Sequence, residues 1–279
     1  MQFEDIDFVI IGAAKSATTW LQTQLQADPA VYMPDPELHY FSRQYERGHD
    51  WYLAQFSDEG IGKTVGEKSN SYLYEPGTAA RLHQSLPHVK LVAQLRNPVE
   101  RAYSNYCMLL RRGEVSSDIA SHLDPSRNEN PRFHIGGKFA SHLEPYIDLY
   151  GRDSLLILFF EGVALEPERQ LSRVRSHIGL PPRAHVAAPK KKVKDKTVPT
   201  VPPQIRRSLG WMKPLVRPLR GTAPFEAVRG MVARKTEYPQ LTDDLRERLN
   251  DYFYPSIETL EELSGQSLSH WYTPADRAG

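Results

Sequence analysis

The sequence predicts an α/β fold with a central, mainly parallel sheet flanked by helices. Three apolar-rich runs carry that expectation: Phe8-Val9-Ile10-Ile11, Val89 to Leu95, and Leu155 to Phe160. They are short and rich in β-branched or aliphatic residues, and they do not alternate with polar residues. That pattern suits strands covered on both faces, as parallel strands are. Each run is followed by residues with helical spacing, and strands alternating with helices define the class.

Gly12 closes the first run, and Ser16 to Ala27 reads as a helix with Trp20, Leu21 and Leu25 on neighbouring turns. Asp28-Pro29 stops it. Thr64-Val65-Gly66 is a short second strand, and Gly77 to Leu86 a helix ending before Pro87. After the Val89 to Leu95 strand, Asn97 stands at N-cap, Pro98 at N1 and Glu100 at N3 of a helix reaching about Leu110. Residues 113–136 read as a loop or insertion, and Lys138 to Tyr150 as a helix. Pro167 to Ile178 follows the third strand as a helix, with Gly179 as its cap. Thr242 to Leu263 is amphipathic, and Pro255 is expected to kink it or split it in two.

Composition narrows the function. The 279 residues hold one cysteine, Cys107, which excludes an internal disulfide framework and a multi-Cys zinc site. On the helix after Asn97, it reads as packing. No stretch reaches the ~18 apolar residues of a membrane span. Met1 to Asp7 carries three acids and no Lys or Arg, unlike a secretory signal, so a soluble, cytoplasmic protein is expected. A net charge of +1 argues against a general nucleic-acid binder. That total hides asymmetry. Pro181 to Gly221 holds eleven Lys/Arg, one acid and eight prolines. It reads either as a solvated connection or as a basic lid over an anionic ligand.

Four segments offer chemistry. Gly12 to Trp20 (Gly-Ala-Ala-Lys-Ser-Ala-Thr-Thr-Trp) sits where a strand enters a helix. Small residues permit a tight turn, the helix start offers N–H groups, and Lys15, Ser16, Thr18 and Thr19 add a cation and hydroxyls. That suits a phosphate or sulfate. The simpler alternative is a helix capped by Ser16. The segment is not a Walker A loop, because Ala14 stands where that motif needs glycine. Arg96, at the carboxyl end of a buried strand, and Ser104, two turns into the next helix, suit a second phosphate. In Pro36-Glu37-Leu38-His39-Tyr40-Phe41, Glu37 and His39 share a face if the segment is extended, and either could act as a base. Taken alone, the plainer reading is a surface carboxylate and a partly buried histidine. Gly66-Glu67-Lys68-Ser69-Asn70-Ser71-Tyr72 puts Lys68 just past a strand, where it contacts an anionic group or merely meets solvent.

Together these segments resemble the sulfotransferases that use 3′-phosphoadenosine 5′-phosphosulfate (PAPS). The likeness is to bacterial relatives of the heparan-sulfate type, the N-deacetylase/N-sulfotransferase and 3-O-sulfotransferase enzymes. Lys15-Ser16-Ala17-Thr18-Thr19-Trp20-Leu21 is similar to the family's 5′-phosphosulfate loop, with Ala17 in place of the usual glycine. Arg96 and Ser104 match its 3′-phosphate pair. The Glu37 segment resembles the one carrying its catalytic glutamate, and the Lys68 segment one whose lysine lies near the acceptor. The likeness covers most of residues 7–180 and 240–271. A basic loop usually lies between those stretches in the family, and Lys190, Lys191 and Lys192 are candidates for it.

The resemblance implies a single sulfotransferase domain over residues 1–279 with a three-layer, P-loop-like fold. Segments near 113–136 and 181–240 would form the acceptor and lid walls. It implies in-line transfer from PAPS, leaving 3′-phosphoadenosine 5′-phosphate (PAP), to a small-molecule, natural-product or carbohydrate acceptor, without a metal ion. Lys15 through Trp20, Arg96, Ser104 and Lys190 to Lys192 would hold the cofactor. Glu37, Lys15, His39 and Lys68 would serve the chemistry. A P-loop-like nucleotide kinase and a non-catalytic nucleotide-binding relative are the alternative classes.

Overall fold

The structure is a computed structural model that describes residues 1–127, 131–182 and 237–272. Lys190, Lys191, Lys192 and most of the basic, proline-rich segment lie outside the described residues. The described residues fall into two compact units. The first takes them from Met1–Arg101, Ile135–Lys191 and Phe253–Gly279, and the second from Ala102–His134 and Lys192–Tyr252.

The first unit contains a five-stranded sheet with every pairing parallel. Its strands are β1 (Phe8–Gly12), β2 (Val31–Tyr32), β3 (Thr64–Lys68), β4 (Lys90–Leu95) and β5 (Leu155–Phe159), in the order β2-β3-β1-β4-β5. The mainly parallel expectation holds. β1 is central, and the chain leaves it first toward β2 and β3 and later crosses to β4 on its other side. Open α/β sheets bind ligands outside the carboxyl end of the strand at such a switch.

Around the sheet run α1 (Thr18–Gln26), α2 (His49–Leu53), α3 (Thr78–Ser85), α4 (Pro98–Arg112), α5 (Ile119–Leu123), α6 (Arg132–Ile135), α7 (Phe139–Tyr150), α8 (Phe160–Leu165), α9 (Pro167–His177) and α10 (Asp243–Ser264). Phe8 and Ile10 of β1, Val92 of β4 and Leu158 of β5 form one core with Leu21 and Leu25 of α1 and Leu171 and Val174 of α9. Full burial of such side chains contributes about 1.5–3 kcal/mol each. Gly66 of β3 sits opposite Phe8 in register, and a Cβ there would lie 2.4 Å from the Phe8 ring. Only glycine leaves the ring its place.

Several expectations change. β3 runs two residues further than expected, so Glu67 and Lys68 are strand residues. β2 went unread because two residues carry no periodicity. Residues 113–136 include two short helices, α5 and α6, and are not merely a loop. Phe160 opens α8 instead of closing β5. Ile178 is the cap of α9, and Gly179 follows it with φ +80°. Asn97 caps α4 as expected, accepting from the N–H groups of Val99 and Glu100 at 2.9 and 3.3 Å. Pro255 does not split α10, which runs unbroken from Asp243 to Ser264. A proline inside a helix costs about 3 kcal/mol. Burial of Leu245, Leu249, Phe253, Ile257 and Leu260 along one stripe outweighs that.

The second unit has its own contacts. Asp118 caps α5 through Ser121 N–H, His134 Nε2 lies 3.0 Å from the Leu123 carbonyl, and Arg248 of α10 pairs with Asp124 at 3.4 Å. Cys107 is buried there, as a packing residue would be.

Candidate active site

The loop from β1 into α1 forms the first half of the site. Gly12 has φ +150°, and a Cβ there would meet Leu73 Cβ at 3.0 Å and the Asn70 carbonyl at 3.2 Å. Glycine lets the residue 70–73 segment pass against the strand end, where Leu73 N–H donates to the Ile11 carbonyl at 2.9 Å. Lys15 and Ala17 are both left-handed, with φ 75° and 63°. Ala17 is the N-cap of α1, and Ser16 makes no cap bond, so the capped-turn alternative fails. Instead the Ser16 hydroxyl is buried without a hydrogen-bond partner in the loop. Gln94 of β4 braces the turn, its side-chain Nε2 donating to the Ser16 carbonyl and its main-chain carbonyl accepting from Ala13 N–H. Thr18 Oγ1 donates to Asn70 Oδ1 at 2.7 Å. The Trp20 side chain packs on the hydrophobic core.

Arg96 follows β4 and reaches the same loop. Its Nη1 donates to the Lys15 carbonyl at 3.5 Å, and its guanidinium lies 4.5 Å over the Phe160 ring. Glu100 is 3.5 Å from Nη2. Burial holds the guanidinium below its ordinary pKa, partly offset by Glu100 and Glu161. Ser104 is buried on α4 in the second unit.

The second half of the site forms around Glu37. His39 is left-handed at φ 52°, so the segment is not extended throughout, and the two side chains converge all the same. Aromatic packing fixes the segment: Tyr40 stacks on Tyr52 with centroids 4.7 Å apart, and Phe41 N–H donates to Tyr72 Oη at 3.3 Å. Glu37 Oε1 is 2.9 Å from Lys68 Nζ and accepts from Asn70 Nδ2 at 3.1 Å. Oε2 accepts from Asn70 N–H at 3.1 Å and lies 3.6 Å from His39 Nε2. Burial opposes ionisation of Glu37, but the Lys68 ammonium, the Asn70 N–H and His39 outweigh it and hold the carboxyl below its ordinary pKa. Lys68 is buried in this pair, not at the surface.

Burial lowers the pKa of His39, and Arg43 and Lys68 add to that against the pull of Glu37. The ring is therefore neutral near pH 7. Its Nδ1 lies 2.6 Å from Ser71 Oγ, which is 2.6 Å from Ser42 Oγ. Sequence reasoning missed Glu67, which is fully buried beneath this cluster. Its carboxyl accepts from Tyr52 at 3.0 Å, Tyr72 at 2.8 Å and Ser69 at 2.9 Å. The Ser69 hydroxyl in turn accepts from His39 N–H at 2.9 Å. Burial pushes Glu67 up to about 7. A carboxylate directly after a run read as strand was the only signal for it.

This arrangement can do two things: bind an anion on main-chain donors and a lysine, and present an ionised carboxylate beside it. The structure joins the two through Thr18 and Asn70.

The chain belongs to the sulfotransferase family: residues 5–197 match its sulfotransferase domain. It is 29% identical over 196 residues to the bifunctional heparan sulfate N-deacetylase/N-sulfotransferase 1 of Caenorhabditis briggsae, covering 63% of this chain and 23% of that protein. It is 29% identical over 177 residues to the human heparan sulfate glucosamine 3-O-sulfotransferase 6, covering 62% of this chain and 52% of the other. The chain thus spans about half or less of these relatives' lengths. A solved sulfotransferase from Alicyclobacillus acidocaldarius superposes with a TM-score of 0.71 at 25% identity, over 96% of this chain and 99% of that one. Among the described residues, no helix is long and apolar enough to cross a membrane.

Proposed function

We propose that the chain transfers a sulfuryl group from PAPS to a hydroxyl or amine of a small-molecule, natural-product or carbohydrate acceptor. The observation that carries this reading is the Glu37 carboxylate, held ionised by Lys68 at 2.9 Å and tied through Asn70 to Thr18 of the anion loop. When bound, the donor supplies an activated sulfuryl group to the acceptor.

The loop fits the 5′ end of that donor. The buried Ser16 hydroxyl lacks a partner, the first N–H groups of α1 have none within the helix, and Lys15 adds a cation. Lys15 and the helix start would stabilise the negative charge that develops at the departing phosphate. Arg96, half-sequestered from water, would bind the 3′-phosphate, a stronger contact than an exposed arginine makes. The family pattern adds Ser104 and Lys190 to Lys192 to that role. Glu37 would take the acceptor's proton. Neutral His39, locked at Nδ1 by Ser71, would orient it, and Lys68 would keep it ionised.

Thermal shift tests the reading, with PAP, AMP, and ATP plus Mg²⁺ as separate ligands. A clear rise with PAP alone is expected. A rise only with ATP and Mg²⁺ would overturn the reading in favour of a kinase.

A further inference from the structure

Asn70 stands two residues beyond β3 and touches both halves of the site. Its main-chain N–H donates to Glu37 Oε2 and its side-chain Nδ2 to Oε1, each at 3.1 Å. Lys68 Nζ lies 2.9 Å from Oε1. A carboxylate offers about four lone-pair sites. Three are engaged, and the remaining one is on Oε2, the oxygen that His39 Nε2 faces at 3.6 Å.

The orientation of the Asn70 amide follows from these contacts. Turned over, it would set Oδ1 against Glu37 Oε1, acceptor against acceptor. In the favoured orientation Oδ1 is left as an acceptor, and Thr18 Oγ1 meets it as donor at 2.7 Å. Thr18 has one hydroxyl proton, and it is committed to Asn70. Thr18 is also the first residue of α1, two positions from the unpartnered Ser16 hydroxyl.

We infer that Asn70 is a positioning residue that ties the anion loop to Glu37 and turns the free acceptor site of Oε2 toward the substrate. The inference rests on Glu37 as the base. Without the Asn70 side chain, the main-chain N–H and Lys68 remain, but the carboxylate plane can rotate about its terminal bond. The hydroxyl of Thr18 is then uncoupled from it.

The test is a ¹³C titration of the full chain labelled at its glutamate carboxyls, with the Glu37 resonance assigned by its loss in Glu37→Gln. Asn70→Ala should raise the Glu37 midpoint by about one pH unit, the effect of losing one charge-assisted hydrogen bond. Thr18→Val should raise it by less, because the amide stays but loses its anchor. Thr18→Ser should keep the wild-type midpoint. PAP calorimetry on the same proteins should find wild type and Asn70→Ala binding alike, which also shows the variant folded. An unmoved midpoint in Asn70→Ala overturns the inference. So does a wild-type midpoint in Thr18→Val, which removes the tether. A wild-type chain that fails to bind PAP overturns the reading beneath it, whatever the titration shows.

Discussion

The loop from Gly12 to Thr19 is one continuous stretch and makes its site mostly from main chain, whereas the Glu37 cluster joins side chains 33 positions apart. The loop depends on backbone conformation: two left-handed residues, Lys15 and Ala17, ahead of a helix start. The Glu37 cluster depends on packing, because stacked Tyr40 and Tyr52 and the buried Glu67 hold His39 and Ser69 where they are. An anion cradle needs only a strand-to-helix turn with the right backbone conformation. A general base needs the fold to bring its partners.

After the loss of Glu37 itself, the largest effect should come from the loop's charge. Lys15→Met is expected to lower turnover by about 10²–10³-fold, the cost of losing a donor to developing negative charge. The readout is transfer of ³⁵S from labelled PAPS into a metabolite extract. Full transfer would leave the cradle to main chain alone and sharpen the contrast in an unexpected direction.

Glu67 offers the next effect, from the packed half. Its carboxyl is pushed up to about 7 against an ordinary value of 4.5. Between those pH values the unfolded chain has released the proton and the folded chain still holds it. Stability therefore falls as pH rises across that window, by about 3 kcal/mol in all. Glu67→Gln keeps acceptors for Tyr52 and Tyr72 and has no proton to lose. Urea melts at both ends of the window should show a slope in wild type that the variant lacks; equal slopes would mean Glu67 is already ionised in the fold.

Arg96→Ala should weaken PAP binding by about 2–3 kcal/mol in calorimetry, the cost of an unpaired, partly desolvated phosphate. Unchanged affinity removes Arg96 from the site. The smallest effect belongs to Ala17, whose φ of 63° is costly for any residue with a Cβ. Ala17→Gly should raise stability by up to about 1 kcal/mol, read as a higher Tm. A lower Tm would mean that the loop benefits from alanine's restriction of the unfolded chain.

Legibility followed the same divide. β1, β4 and β5 were readable because short apolar-rich runs mark strands covered on both faces. The Lys15 loop and Arg96 were readable because their chemistry lies next to such runs. β2 was not, since Val31–Tyr32 owes its pairing to Thr64 and Val65 of β3 and not to its own pattern. Lys68 was ambiguous alone, because only the fold buries it against Glu37. Glu67, Asn70 and Ser71 gave no signal of their roles, since their partners lie on other segments. Pro255 does not split α10, because the apolar stripe, legible as periodicity, gains from a burial that only the fold supplies.

We propose Glu37, tied to the loop by Asn70, as the group that takes the acceptor's proton. Glu37→Gln tests it most directly, with ³⁵S transfer from PAPS and PAP calorimetry run on one preparation. A loss of transfer of about 10²–10⁴-fold with PAP affinity unchanged is expected. Transfer at the wild-type rate would contradict it.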